Sequence, residues 1–219
     1  IDEWQIAPRF WDAVRNEVDQ RDEDGQFILT GSAVPPNFDE IFHTGTGRFA
    51  WLKLRTMSLW ESGDSTGEVS LARLFANDAE DYFVEGINQI DLERLAYLTC
   101  RGGWPKALNK KTEKAALQQA IEYFEAVTSF DISRVDDANR DSELARRIMR
   151  SYARNQGSQA TAGTILADII SNESSEISEN TIYSYLKALK KIFVIEDSVA
   201  WNPNLRSKAA IRTSDTKYF

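Results

Sequence analysis

The stretch from Ser178 to Trp201, SENTIYSYLKALKKIFVIEDSVAW, carries the strongest fold signal in the sequence of 219 residues. Ser178 suits a helix N-cap, and the apolar side chains after it recur at helical spacing, which predicts a helix over 179–193. These side chains are Ile182, Leu186, Leu189 and Phe193. Two short apolar runs around the acidic Glu196-Asp197-Ser198 then predict a β-hairpin over 194–201.

Two further helical patterns precede this stretch. Residues 142–155 place Leu144, Ile148 and Tyr152 on one face, and residues 161–170 form a second, shorter apolar segment. Three helices followed by a hairpin is the element order of a winged helix-turn-helix. Residues 70–129 also follow the helical period, so the sequence predicts a mainly α protein.

The front of the chain predicts a small α/β portion. Residues 8–21 read as a helix that begins with Pro8 in its first turn. The apolar run Phe27-Ile28-Leu29-Thr30 has the length of a buried strand, and the alternation over 49–57 predicts a half-buried strand.

Composition excludes several classes of protein. The single cysteine and single histidine exclude an internal disulfide framework and a zinc site built from several Cys or His ligands. No apolar run approaches the roughly 18 residues that a membrane helix needs, so we expect a cytoplasmic protein with no membrane contact. We expect Cys100 to be a small buried side chain and His43 to be an ordinary polar residue of a loop.

The net charge of −8 is unevenly distributed. Residues 141–219 hold 11 basic and 9 acidic side chains, so the excess of acidic groups lies in residues 1–140. Any contact with nucleic acid is therefore expected in the back part of the chain.

Five motifs in order resemble a known family. They are IDEWQ at 1–5, FILTGSA at 27–33, GTGRFAWLKLRTMSLWE at 45–61, RGGWPKALN at 101–109 and the predicted winged helix. Together they resemble a bacterial and archaeal family of AAA-type P-loop ATPases that lacks a settled biological role. The resemblance covers essentially the whole chain, and it implies a partial P-loop ATPase core with Walker B and sensor 1 strands, a helical lid and a winged helix-turn-helix.

The resemblance implies a role for residues of the first two motifs. Asp2 matches the Walker B aspartate associated with Mg²⁺, and Glu3 matches the base that polarises the attacking water. Thr30 and Ser32 flank the sensor 1 position, and the sequence does not choose between them. The implied cofactors are ATP and Mg²⁺, and the implied small-molecule partner is a nucleotide.

Further residues of the implied site lie later in the chain. Arg48 matches a recurrent arginine that either meets phosphate or pairs with an acidic neighbour. Arg101, Gly102, Gly103 and Pro105 match the Gly-Gly-x-Pro turn of the lid, near the nucleotide base in such ATPases. The alternative for that turn is purely structural, because glycine permits a tight backbone path and proline starts the next helix.

The sequence also departs from the family. It contains no G-x-x-x-x-G-K-[ST] phosphate-binding loop, which in the family lies upstream of the Walker B strand. We therefore expect a section of a longer protein, inactive alone, with an ATPase core over 1–62 and a lid over 63–138. The winged helix is predicted over 139–205 and the lead-in to a further domain over 206–219.

The predicted helix over 179–193 offers polar groups for DNA. Hydroxyls and amides contact phosphates or base edges, and lysines neutralise phosphates. The candidate residues are Asn180, Thr181, Ser184, Lys187, Lys190 and Lys191. A contact with protein is the other reading of this helix, so the alternative to an ATPase is a non-catalytic winged-helix regulator that binds DNA or protein. The sequence does not predict an oligomeric state.

Overall fold

The protein is mainly helical in the computed structural model, as predicted. The structure describes residues 1–33, 45–76, 85–136, 138–172, 177–200 and 216–218. The helices are α1 (Arg9–Arg21), α2 (Leu71–Leu74), α3 (Leu92–Arg101), α4 (Pro105–Leu108), α5 (Glu113–Ser129), α6 (Ser142–Arg154), α7 (Ala162–Asn172) and α8 (Glu179–Lys191). The strands are β1 (Glu196–Ser198) and β2 (Thr216–Tyr218), and 3₁₀ turns cover Trp4–Ile6 and Asp131–Ser133.

The chain forms two compact units. One unit joins residues 1–50 to residues 126–219, and the other comprises residues 51–125. The predicted boundaries at residues 62, 138 and 205 stay predictions. His43 and the Pro35-Pro36 loop lie outside the described residues, and so does most of the predicted lead-in at 206–219.

Helices α6, α7 and α8 pack against one another. Their core side chains are wholly buried, among them Ile148, Tyr152, Ile165, Ile182 and Leu189. Each of α6 and α8 begins at a side-chain cap, because Asp141 accepts a hydrogen bond from the Leu144 nitrogen and Ser178 accepts one from the Thr181 nitrogen. The predicted apolar stripe and the predicted Ser178 cap are therefore confirmed, although α8 ends at Lys191 and Phe193 is 46% exposed.

The predicted hairpin over 194–201 is wrong. The acidic residues expected to form its turn are the strand β1, which pairs antiparallel with β2, so that Glu196 lies opposite Tyr218. Contacts with the helices explain the extended path: Ile195 is buried, the Tyr152 hydroxyl donates to the Glu196 carbonyl at 3.2 Å, and Lys190 pairs with Asp197 at 2.5 Å.

Replacing Tyr152 by phenylalanine tests the contact between α6 and β1. The ring stays buried, but the Glu196 carbonyl loses this donor, so Tyr152→Phe should lower the free energy of unfolding by about 1 kcal/mol. Urea unfolding measures the change, with Tyr183→Phe as the matched control because the Tyr183 side chain is 57% exposed. Equal midpoints for the two variants would show that the hydroxyl contributes nothing.

Two extended segments at the front of the chain run side by side in the same direction. The Ile1 nitrogen donates to the Ile28 carbonyl at 2.8 Å, and the Thr30 nitrogen donates to the Ile1 carbonyl at 2.9 Å, which is a parallel pattern. The Trp4 nitrogen adds a bond of 3.2 Å to the Thr30 carbonyl. The predicted buried strand over 27–30 is therefore wrong, because the paired segment forms no regular strand and Ile28 is 76% exposed.

Aromatic side chains pack α1 against the neighbouring segments of residues 1–50. Trp4, Trp11 and Val14 are buried, and the Trp11 ring stacks on Phe49 with centroids 3.9 Å apart. Trp4 lies 5.2 Å from Trp11 between ring centroids. These contacts fix the segment Ile1–Gln5 against the first turns of the helix that follows it.

Two predictions for residues 51–125 are wrong. The predicted strand over 49–57 forms no strand; Trp51 is 76% exposed, and Leu54 is 91% exposed. Beyond Ala50, the Met57 nitrogen donates a hydrogen bond to the Gly103 carbonyl at 2.8 Å. Cys100 is exposed rather than buried, since the buried face of α3 is formed by Leu98 and Arg101.

Candidate functional site

The structure brings together the four candidate residues of the first two motifs. The Thr30 hydroxyl donates to Asp2 Oδ1 at 2.5 Å, and the Ser32 hydroxyl donates to Glu3 Oε2 at 3.1 Å. The parallel pairing of the two segments sets these contacts, because it aligns residues 30 and 32 with the carboxylates that follow Ile1. We call Asp2, Glu3, Thr30 and Ser32 the carboxylate cluster.

The Asp2 carboxylate is held in its charged form. The Thr30 hydroxyl, and then the backbone nitrogen of Glu3 at 3.0 Å, donate to it and hold the pKa of Asp2 below its ordinary value. Asp2 is exposed and ionised at neutral pH, which suits a carboxylate that contacts a divalent cation.

Glu3 has an unusual backbone and a constrained side chain. Its φ of 51° lies in the left-handed region, which ordinary residues rarely adopt and which recurs at functional sites. One carboxylate oxygen, Oε2, accepts hydrogen bonds from Ser32 and from the amide nitrogen of Gln5. Gln5 lies within the motif that the sequence singled out, yet sequence reasoning gave it no role; its spacing of two residues from Glu3 was the available signal.

Arg48 pairs with an acidic neighbour. Its guanidinium lies 2.5 Å from Asp19 of α1 and donates to the Thr46 carbonyl at 3.3 Å. Of the two alternatives that the sequence left open, the structure shows the ion pair, and no contact of Arg48 with the carboxylate cluster is found among the described residues.

The Gly-Gly-x-Pro turn has close contacts that explain its composition. Gly102 has a φ of 69°, which favours glycine, and Pro105 is the first residue of α4. A Cβ on Gly103 would lie 2.1 Å from the Met57 carbonyl oxygen, so no larger residue fits without moving the backbone. A structural role therefore accounts for these three residues, and nucleotide contact stays a prediction.

Arg101 takes part in a buried ion pair. Its Nη2 lies 2.9 Å from Asp64 Oδ2, and the Arg101 side chain is 7% exposed. Arg94 reaches the other oxygen of Asp64 at 2.8 Å. Burial alone would raise the pKa of Asp64, but hydrogen bonds from Arg94, Ser62 and Arg101 outweigh burial and hold that pKa below its ordinary value. Sequence reasoning missed Asp64, because a glycine-flanked loop gave no sign of burial.

The six candidate residues for DNA contact all lie on α8, but they differ in exposure and in their contacts within the protein. Asn180 and Lys187 are exposed. Three others have partners within the protein: Thr181 contacts the Ser178 cap, Ser184 accepts from Arg140 at 3.3 Å, and Lys190 pairs with Asp197. Lys191 is half-buried at the last turn.

The exposed face of α8 also includes Tyr183, which is not one of the six candidate residues. Asn180, Tyr183 and Lys187 follow one another at the helical spacing of three and four residues, and the Tyr183 side chain is 57% exposed. The helical period that identified the buried stripe of α8 identifies this opposite face as well.

The described residues include neither a membrane-spanning helix nor a ready metal site. No helix there is long and apolar enough to cross a membrane. In the same residues no three side chains of the His, Cys, Asp and Glu types come together as a ready metal site.

Comparison with known families places the chain. The model of a family described as Domain of unknown function (DUF8612) matches residues 92–219, more than half of the chain. The chain belongs to this family. The DUF8612 match begins at the first residue of α3 and includes the α6–α8 helices and both strands. No curated protein and no solved structure matches the chain.

Proposed function

We propose that the protein is an AAA-type ATPase and that these 219 residues are its section from Walker B through a winged helix. The contacts within the carboxylate cluster carry the proposal. Two motifs separated by more than 20 residues lie together, and each carboxylate of the first motif accepts a hydrogen bond from a hydroxyl of the second. This proximity agrees with the proposal, in which a Walker B strand end and a sensor 1 residue lie together and position water beside a nucleotide.

The residues of the cluster suit Mg²⁺ and ATP. Mg²⁺ keeps several waters and uses one or two carboxylates together with substrate phosphates, so the ionised Asp2 is a sufficient protein contact. Bound Mg²⁺ would neutralise charge on the phosphates. Glu3 is placed one residue later, where it accepts a proton from water, and Thr30 and Ser32 hold the two carboxylates in position.

The phosphate-binding loop has to come from another part of the protein. A helix N-terminus with backbone nitrogens and a lysine cradles phosphates in P-loop ATPases, and this sequence has no such motif. The 219 residues alone should therefore bind ATP weakly, and tight binding in calorimetry would overturn that view. The reading frame upstream of Ile1 should encode a strand and a phosphate-binding loop.

A second candidate function rests on the back of the chain. Three packed helices followed by two paired antiparallel strands have the element order of a winged helix, with α8 in the place of the recognition helix. This observation favours a DNA or protein contact through α8. If the reading frame upstream encodes no phosphate-binding loop, a non-catalytic winged-helix regulator explains the chain better than an ATPase does.

Replacing the three lysines of α8 separates DNA from protein contact. If α8 binds DNA, changing Lys187, Lys190 and Lys191 to alanine should weaken binding to a mixed-sequence duplex. The salt slope should flatten by roughly 0.9 for each lysine that touches a phosphate. Fluorescence anisotropy at several salt concentrations measures both effects. The matched control changes the exposed Lys110, Lys111 and Lys114. The same affinity in both triple variants would exclude DNA contact through α8.

A further inference from the structure

Gln5 contacts the carboxylate cluster, a role that the sequence did not predict for it. Its amide nitrogen Nε2 donates to Glu3 Oε2 and reaches Ser32 Oγ at 3.5 Å, while the Ser32 hydroxyl donates to the same Glu3 oxygen. The second oxygen of Glu3, Oε1, accepts no hydrogen bond from the described part of the protein. One oxygen of the carboxylate is therefore fixed, and the other remains open to water.

Gly31 makes room for this arrangement. The side-chain oxygen Oε1 of Gln5 is buried and has no hydrogen-bond partner among the described residues, and a Cβ on Gly31 would lie 2.2 Å from it. The amide can present its nitrogen to Glu3 only if its oxygen lies against residue 31, and only glycine leaves that space. Leaving a buried oxygen unpaired costs free energy, and the hydrogen bond from the amide nitrogen to the Glu3 carboxylate offsets this cost.

We propose that Gln5 is a positioning residue, which holds the Glu3 carboxylate by one oxygen so that the other is presented to the attacking water, and that Gly31 is required for this. The inference rests on the proposed ATPase function. It concerns orientation alone, because the Gln5 amide neither gains nor loses a charge by titration near neutral pH and so cannot act as an acid or a base.

Replacing Gln5 should lower turnover and leave binding unchanged. In the full-length protein, Gln5→Ala should reduce kcat for ATP by about 10-fold with little change in KM, since a misplaced base loses part of the advantage that positioning gives. Gly31→Ala should have the same effect at little cost in stability, because the clashing atom is the end of a flexible side chain. The matched controls are Gln20→Ala, at an exposed position of α1, and Gly163→Ala. At Gly163 the nearest heavy atom to the added Cβ lies 3.5 Å away, which is an ordinary van der Waals contact.

A pH profile distinguishes positioning from a structural role. Gln5→Glu places a second carboxylate against Glu3, and like charges at that distance favour sharing one proton. The kcat of this variant, relative to wild type, should be lowest near pH 8 and recover as the pH falls, because the protonated carboxyl again donates to Glu3. A relative kcat that does not change with pH would contradict the proposal.

A spectroscopic measurement reports the contact without catalysis. In full-length protein labelled with ¹⁵N-glutamine, the side-chain amide of Gln5 should exchange slowly and lose that protection in Glu3→Ala and in Gly31→Ala. Full wild-type kcat in Gln5→Ala, or fast amide exchange in wild type, overturns the inference. Absence of ATP hydrolysis by the wild-type protein instead removes the proposed function, and the positioning role with it, whatever the amide signal shows.

Discussion

Replacing Glu3 by glutamine should abolish most ATP hydrolysis by the full-length protein and leave ATP binding intact. A general base contributes about 10²- to 10⁴-fold to a rate, and glutamine has the shape of glutamate without its proton-accepting charge. The amide oxygen of the new glutamine can still accept both hydrogen bonds that Glu3 Oε2 accepts. The local structure around Ser32 and Gln5 should therefore persist. The expected result is a fall in kcat of that size.

The comparison for Glu3→Gln is the same substitution at Glu122, an exposed residue of α5. Steady-state phosphate release and calorimetric ATP binding should be measured on both variants. If Glu3→Gln keeps the kcat of Glu122→Gln, Glu3 is not the base and the proposed role of the carboxylate cluster fails.

Replacing Arg101 by methionine should have the largest effect on stability. The Asp64 side chain is 11% exposed and would lose its most buried partner, leaving a charge that water reaches poorly. Removing one partner from a buried ion pair costs about 3 kcal/mol at the lower end of the usual range. Arg94→Met is the matched control and should cost less, because the Arg94 side chain is 40% exposed. Equal losses in urea unfolding would contradict the ranking.

The same ion pair predicts a pH dependence of stability. The pKa of Asp64 is lowered in the folded protein, so its contribution is present above the pKa of the unfolded chain and is lost as the pH falls through the folded value. Arg101→Met should raise the folded pKa and move the acid loss of stability to higher pH. Asp64→Asn should remove this component altogether, which urea unfolding between acidic and neutral pH measures.

Helical patterns predicted the fold of the back part because burial and capping act locally. The spacing of Ile182, Leu186 and Leu189 and the Ser178 cap depend on neighbours within one or two turns. Strand β1 could not be predicted, since its partner β2 lies some 20 residues further on and its charged side chains read as a turn. Pairing across such a distance leaves no local pattern.

The carboxylate cluster was predictable as a set and not in detail. The resemblance implied that Asp2 and Glu3 lie near the sensor 1 position, which Thr30 and Ser32 flank. The sequence did not show that Thr30 contacts Asp2 while Ser32 contacts Glu3, because that assignment depends on the register of two paired segments. Nor did the sequence show that Arg101 forms an ion pair with Asp64, a residue 37 positions away.

The most direct test of the proposed function is a crystal structure of the full-length Glu3→Gln variant grown with ATP and Mg²⁺. The proposal predicts a nucleotide whose terminal phosphate lies beside Thr30 and Ser32, with the cation on the side of Asp2. A nucleotide bound elsewhere, or a carboxylate cluster that contacts neither phosphate nor cation in a structure with ATP bound, would contradict it.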